Sequence, residues 1–484
     1  MNQLGQHNQQ NQEPASYHWR TLSLLQAVLD RQAVPDLTEV PGPTVVPNLI
    51  QSREIVRERR LTLGALAVKH DRVFNLAYLI DQHLLRVAGE KLRASAAPGV
   101  DNVTARTYRR DLSLNITKLH KEVLHKTYQP SPNRRVSIKK DDGSERHLGL
   151  PTTREKHLQR AVMILLEAIC EPNFYKHSYG FRPRRSARKA VKVLRTWLAD
   201  RKNTWILEID LSKFFDTIPH DMLIQVLSEK IGDPVVMKLL KLWLKAGVVV
   251  NGDVIHSDRG TPQGGVISPL MANVYLDKVL DQWLTRTYFP TLKGKALHVR
   301  YADDFIVAFT HEDECRKALV DITTRLEAFG LTVNQLKTKI TCMTCPGPSR
   351  VPQAPMSEFS FLGFTYYWTP CPETGWDLRI RTSEKSMKRF MDNLSTWISD
   401  VNTQTGEIPL GELRAKLKGH MDYFNTVGIN SPQAPRVGQV DAADALPGGA
   451  DSAGLHNRQI DVPPGERDIP CIQTDIKTSR TITK

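Results

Sequence analysis

The chain carries Tyr301-Ala302-Asp303-Asp304, two adjacent carboxylates inside an otherwise apolar stretch. Val299, Tyr301, Phe305 and Val307 surround them at alternating positions. That spacing predicts two short strands around a tight acidic turn, a β-hairpin. Adjacent carboxylates at such a turn repel each other and resist leaving water. A divalent cation removes both penalties. Taken alone, a solvated Asp-Asp turn satisfies the same letters, so the choice depends on what accompanies it.

The length allows about two or three domains around a large core. No apolar run approaches transmembrane length, and residues 1–12 are polar rather than signal-like. A cytoplasmic protein without a membrane partner is expected. The six cysteines are scattered, and only Cys342 and Cys345 form a C-x-x-C. With no second pair to complete a zinc site, they read as reduced thiols, a redox or metal pair being the alternative. The net charge of +14 attracts polyanions by counterion release. Arg134-Arg135, Lys139-Lys140 and the run Arg182, Arg184, Arg185, Arg188, Lys189 cluster that charge. RNA or DNA is the natural partner.

Residues 1–60 are polar and then Pro-rich, predicting an N-terminal arm with one helix near 17–31. Residues 61–125 carry apolar positions at helical spacing and predict a helical extension, interrupted at Pro98-Gly99. A hairpin is predicted over 136–150 and another over 248–255, with Asn251-Gly252 at its turn. Residues 205–210 read as a buried strand and 359–367 as another. Helices are predicted over 155–171, 186–198, 221–230, 235–246, 268–284, 312–329, 383–401 and 410–424. After about residue 430 the chain turns Pro-rich and aromatic-free, which predicts disorder.

Three segments accompany the acidic hairpin. Leu207-Glu208-Ile209-Asp210 ends the buried strand in a carboxylate that could share a metal with Asp303 and Asp304. Arg259-Gly260-Thr261-Pro262-Gln263-Gly264-Gly265 is a Gly-rich loop leading into a helix. It suits close backbone approach to a ligand and is not a P-loop. The stretch from Arg134 to Arg146 places cations on a hairpin, as phosphate contacts require.

Together these segments resemble the reverse transcriptases encoded by bacterial group II introns, over about residues 60–430 and in that family's order. Gly99-Val100-Asp101, Arg134-Arg135-Val136, His147-Leu148-Gly149-Leu150-Pro151, Ser178-Tyr179-Gly180-Phe181-Arg182-Pro183, Phe361-Leu362-Gly363 and Gly419-His420-Met421-Asp422-Tyr423-Phe424 add to the match. The resemblance implies an α+β right-hand polymerase. Fingers and palm with an antiparallel sheet would span 126–372, a partial helical thumb and maturase region 373–430, and an atypical tail 431–484.

The resemblance also implies roles. Asp210, Asp303 and Asp304 would bind two Mg²⁺ ions, Asp304 being the least firm of the three. Lys140 and Arg146 would grip the incoming triphosphate, with Lys139 a near alternative to Lys140. Phe215 would sit under the sugar and select dNTPs, Phe214 competing for that place. Gln263 would contact the nucleotide and Gly264 would allow its close approach. Lys337 would protonate pyrophosphate or is a surface lysine. Phe361, Leu362 and Gly363 would form the primer grip. Tyr179, Phe181 and Arg182 would contact template or pack the core. Implied partners are an intron RNA template, a DNA primer or target, and dNTPs. The oligomeric state stays open, a homodimer included.

The chain departs from the family in three places. Lys139 stands where Pro is usual and Leu336 where Glu is usual. The tail replaces a basic, Trp-rich thumb helix, as a frameshift or a lineage-specific ending would. No His-Asn-His nuclease follows. The leading expectation is an RNA-directed DNA polymerase of a group II intron. The alternatives are an RNA-binding splicing maturase, an inactive intron remnant, or a reverse transcriptase recruited to another task.

Overall fold

The computed structural model describes residues 47–139, 143, 145–200, 204–346, 357–373, 375–405 and 408–425. The expected helix near 17–31, Lys140 and the tail 431–484 lie outside them. Helix α1 (Leu49–Lys69) starts within the span read as an arm, because Asn48 caps it by accepting the Ile50 amide. Val56, Leu63 and Leu66 bury one face of α1. That face packs on α2 (Gln82–Glu90), with α3 (Leu112–Leu124) and α4 (Thr153–Cys170) completing the helical layer. Thr152 starts α4 by accepting the Glu155 amide at 3.3 Å, as a Thr-x-x-Glu sequence favours.

The two strands β1 (Asn133–Lys139) and β2 (Glu145–Leu150) precede helix α5 (Ala187–Leu198) and strand β3 (Trp205–Ile209). Helices α6 (His220–Ser228) and α7 (Pro234–Leu244), strands β4 (Val248–Val250) and β5 (Asp253–Ile255) and helix α8 (Ser268–Leu276) follow. Beyond α8 the coil widens into π turns over Asp277–Asp281 and Leu284–Tyr288, the first lying within the regular helix expected over 268–284. The acidic hairpin is β6 (Ala296–Tyr301) and β7 (Asp304–Phe309). Helix α9 (Glu312–Ala328) and strand β8 (Lys339–Cys342) come next. Last are β9 (Phe359–Phe361), β10 (Phe364–Cys371), β11 (Gly375–Thr382) and helices α10 (Glu384–Thr405) and α11 (Leu410–Asn425). The single strand expected over 359–367 is thus two, split where Leu362 and Gly363 both take positive φ.

Among the described residues the strands form three sheets: β2-β1-β4-β5, β6-β7-β3-β8 and β11-β10-β9. The second is antiparallel throughout. Its two faces enter different cores. Leu207, Ile209, Phe305, Val307 and Phe309 join the helices of one. Ile206, Val299, Ile306 and Ala308 join α5 and the β9–β11 sheet in the other. Apolar side chains on both faces make these strands read as near-continuous apolar runs. The mixture of helices with an antiparallel central sheet is the α+β architecture expected. No helix among the described residues is long and apolar enough to cross a membrane.

Candidate active site

Strand register brings the acidic residues together. In the β3–β7 pair Ile209 faces Phe305, so one step further sets Asp210 beside Asp304. In the β3–β8 pair Glu208 faces Lys339, so the same extension sets Lys337 on the other side of Asp210. The Lys337 Nζ lies 3.9 Å from Asp210 Oδ2. Asp210 also accepts the Asn334 amide on its carbonyl at 2.8 Å, which pins the Lys337 loop to the strand end. On the far side, Tyr301 pairs with Asp304, leaving Ala302 and Asp303 as a two-residue turn.

These carboxylates press on one another. Burial raises the Asp303 pKa and Asp210 raises it further, while its own amide, Arg146 and Arg300 oppose. Asp304 reaches solvent, yet desolvation in the cleft, Asp303 and Asp210 push it up to about 6 against the pull of Lys337. Among the described residues no three Asp, Glu, His or Cys side chains close into a metal cage of their own. Mg²⁺ needs none, since it keeps waters and is held by one or two carboxylates plus substrate phosphates. The excess of negative charge and the all-oxygen donor set fit such an ion.

The turn is held from behind by a buried polar network that sequence reasoning missed. Arg300 is fully buried. Its Nη1 donates to Ala302 O at 2.9 Å and to Asn273 Oδ1 at 2.9 Å. Its Nε and Nη2 grip the Asp281 carboxylate. Burial alone would raise the Asp281 pKa, but Arg300 and His298 outweigh it and hold the carboxyl below its ordinary value. Asn273 in turn donates to Gly180 O at 2.7 Å. The π turn after α8 buries both Asp277 and Asp281. The one legible signal was an arginine in a strand whose neighbours are apolar, because a buried cation requires a partner.

The other expected residues divide. Arg146 stands exposed on β2, opposite Ile138 and within the field of Asp303. Phe214 is buried in the core while Phe215 is half-exposed. Gln263 donates from Nε2 to Asp216 Oδ1 at 2.9 Å, and its carbonyl accepts the Gly149 amide at 2.8 Å. This joins the Gly-rich loop to β2 across a cavity of about 290 Å³. Leu362 and Gly363 line a second cavity of about 570 Å³ together with Asp304, Arg389 and Tyr423.

Four of the expected residues are held by the protein itself. Gly264, at φ +113°, is small because β2 lies against it: a Cβ there would meet Gly149 O at 3.1 Å. The side a Cβ would take is thus filled by β2. Tyr179 is buried, which is the packing alternative of the two expected for it. Arg182 is buried, pairs with Glu171 at 2.9 Å and donates to Tyr175 O and Ser178 O at 2.7 Å, which is the packing alternative of the two expected for it. Phe361 points into the core rather than the cleft. Phe181, by contrast, is exposed at φ +56°.

Two carboxylate-bearing segments on adjacent antiparallel strands, beneath a cationic hairpin, define the palm and fingers of a right-hand nucleic-acid polymerase. Residues 138–366 match the family described as reverse transcriptase (RNA-dependent DNA polymerase). The chain is 38% identical over 251 residues to Protein YkfC of Escherichia coli (strain K12), covering 50% of this chain and 65% of that one. It is 36% identical over 220 residues to the group II intron-encoded protein LtrA of Lactococcus lactis subsp. cremoris, covering 44% of this chain and 36% of LtrA. It is 31% identical over 324 residues to the putative COX1/OXI3 intron 2 protein of Saccharomyces cerevisiae, covering 55% and 37%. The chain therefore spans less than two thirds of each relative. It carries a reverse transcriptase domain related to those of group II intron-encoded proteins.

Proposed function

We propose that this chain is an RNA-directed DNA polymerase of a group II intron, which extends a DNA primer along intron RNA and assists splicing and mobility. The observation that carries the reading is the convergence of Asp210 with Asp303 and Asp304 at the ends of paired strands, with Lys337 and Arg146 flanking them. Two Mg²⁺ ions held by Asp210 and Asp303, with Asp304 beside them, would polarise the primer 3′-hydroxyl and neutralise the leaving pyrophosphate. Arg146 orients the triphosphate from the fingers. Lys337, beside Asp210, hands a proton to the leaving group. Phe215, half-exposed beside buried Phe214, selects the sugar, and Leu362-Gly363 offers a turn for the primer end. The paired carboxylates favour this reading over a maturase that only binds RNA.

Primer extension with purified protein, a poly(rA) template, an oligo(dT) primer, dTTP and Mg²⁺ tests it, beside Asp303→Ala. Extension that vanishes in the variant is expected. A folded wild-type chain that binds RNA without extending the primer would replace the polymerase reading with the binding one.

A further inference from the structure

A groove on the outer edge of the palm shares no lining residue with the two cavities described at the cleft. It runs between α5 and β6 and encloses about 500 Å³. Lys189, Lys192 and Trp197 line it from α5; His177, Tyr179 and Arg185 line it from the segment before that helix. Lys189 and Lys192 lie one turn apart, about 5–6 Å between Cβ atoms, and share a face with Trp197. The floor is apolar and aromatic: Tyr179 is buried, and His177 stacks on it with ring centroids 6.4 Å apart. Arg185 lies over the same Tyr179 ring at 5.7 Å. No acidic side chain lines the groove. None of the three cations pairs with a carboxylate among the described residues; Arg185 donates to Lys176 O at 3.0 Å and Lys189 to Arg184 O at 2.8 Å.

We infer that this groove holds a single-stranded RNA segment, with its phosphates on Arg185, Lys189 and Lys192 and a base against His177 and Trp197. Three cations without acidic partners make a surface complementary to a polyanion. Accessible π-faces between the cations distinguish single-stranded nucleic acid from duplex, whose bases stay stacked on each other. Burial and the nearby cations push the His177 pKa down to about 4, so its ring is neutral at physiological pH and able to stack. Location supports continuity with the copied strand. His177 and Tyr179 line the groove, and the next residue, Gly180, touches the turn at Ala302. At about 3.3 Å per extended residue, the groove begins within about 10 Å of the acidic turn.

The choice of RNA as the polyanion rests on the reverse transcriptase reading, so the test uses binding rather than synthesis. Fluorescence anisotropy of a labelled oligo(U) is measured with the full chain, with K189E/K192E, and with K238E/K241E, which makes the same charge change on exposed positions of α7. Loss of two phosphate contacts is expected to weaken binding about tenfold at about 100 mM salt and to flatten the log–log salt slope by about 1.4. The α7 variant is expected to keep the wild-type slope. Oligo(U) carrying 4-thiouridine is expected to crosslink to the peptide holding His177 or to the one holding Trp197. Equal weakening in both double variants, or crosslinks confined to the cleft, would overturn the groove assignment. Because no nucleotide is present, a chain unable to extend a primer leaves this test intact.

Discussion

Gly180 lies so close to Ala302 that a Cβ on residue 180 would stand 2.2 Å from the Ala302 amide nitrogen. That obstacle is backbone, and Ala302 already sits at φ +60°. Gly180→Ala must therefore move the turn that carries Asp303. Overpacking of this kind costs about 1–3 kcal/mol. The expected result is a folded protein with a lowered melting temperature and primer extension reduced at least about tenfold, since small misplacements of reacting groups are costly. A variant with wild-type extension rates would show that the turn tolerates displacement.

Arg300 and Asp281 make the second dependency. Arg300→Met leaves His298 as the one remaining side-chain partner of the buried Asp281 carboxylate among the described residues, and breaking such a buried pair costs about 3–5 kcal/mol. Arg300→Lys keeps the charge but loses the forked grip and the bond to Ala302 O. Urea denaturation should rank wild type above Arg300→Lys and Arg300→Lys above Arg300→Met. Extension by folded Arg300→Lys should fall in kcat with little change in KM for dTTP, because the residue positions Asp303 without touching nucleotide. A change in KM alone would argue for a direct nucleotide contact instead.

How much was legible in the sequence follows from how local each determinant is. The acidic hairpin, the strand ending at Asp210 and the helix capped by Thr152 are set by period-2 or period-3.6 patterns and nearby caps, and each formed where its pattern lay. What the pattern could not supply is long-range. Arg182 could contact template or pack the core on sequence alone, and the bonds to Glu171 and two carbonyls that decide for packing have no local signature. Gly264 stood out for close approach of a ligand, and no neighbouring residue signals that β2, from a segment far upstream, also lies against it. The π widening after α8 leaves no mark in apolar periodicity, yet it accompanies the burial of Asp281 against Arg300.

His157 gives a pH dependence outside the cleft. Its Nε2–H donates to Leu85 O at 2.7 Å, so Nδ1 accepts from the Tyr108 hydroxyl at 3.1 Å. Burial pushes its pKa down to about 4, partly opposed by the bond to Leu85. The unfolded chain, at about 6.5, binds the proton first. The neutral ring's contribution is thus complete above about pH 6.5 and is lost as pH falls toward 4, up to about 3 kcal/mol in all. Urea midpoints of wild type and His157→Gln should converge between pH 7 and pH 4.5 as wild type loses this advantage. Parallel midpoints across that range would mean that His157 does not titrate in the fold.

Phe215 offers the sharpest test of substrate choice. Phe214 beside it is committed to the core, with the two rings 5.3 Å apart. Phe215 is half-exposed, and its carbonyl accepts the Thr261 amide at 2.7 Å, which fixes the backbone beneath it. Removing ring volume there opens space for a 2′-hydroxyl without disturbing the carboxylates. Phe215→Val should raise UTP incorporation relative to dTTP by about 10–100-fold, the range a small steric difference commands in a pocket. Phe214→Val, by contrast, should lower stability and leave the UTP to dTTP ratio near wild type. The reverse pattern, a changed ratio in Phe214→Val alone, would assign the sugar contact to the other ring.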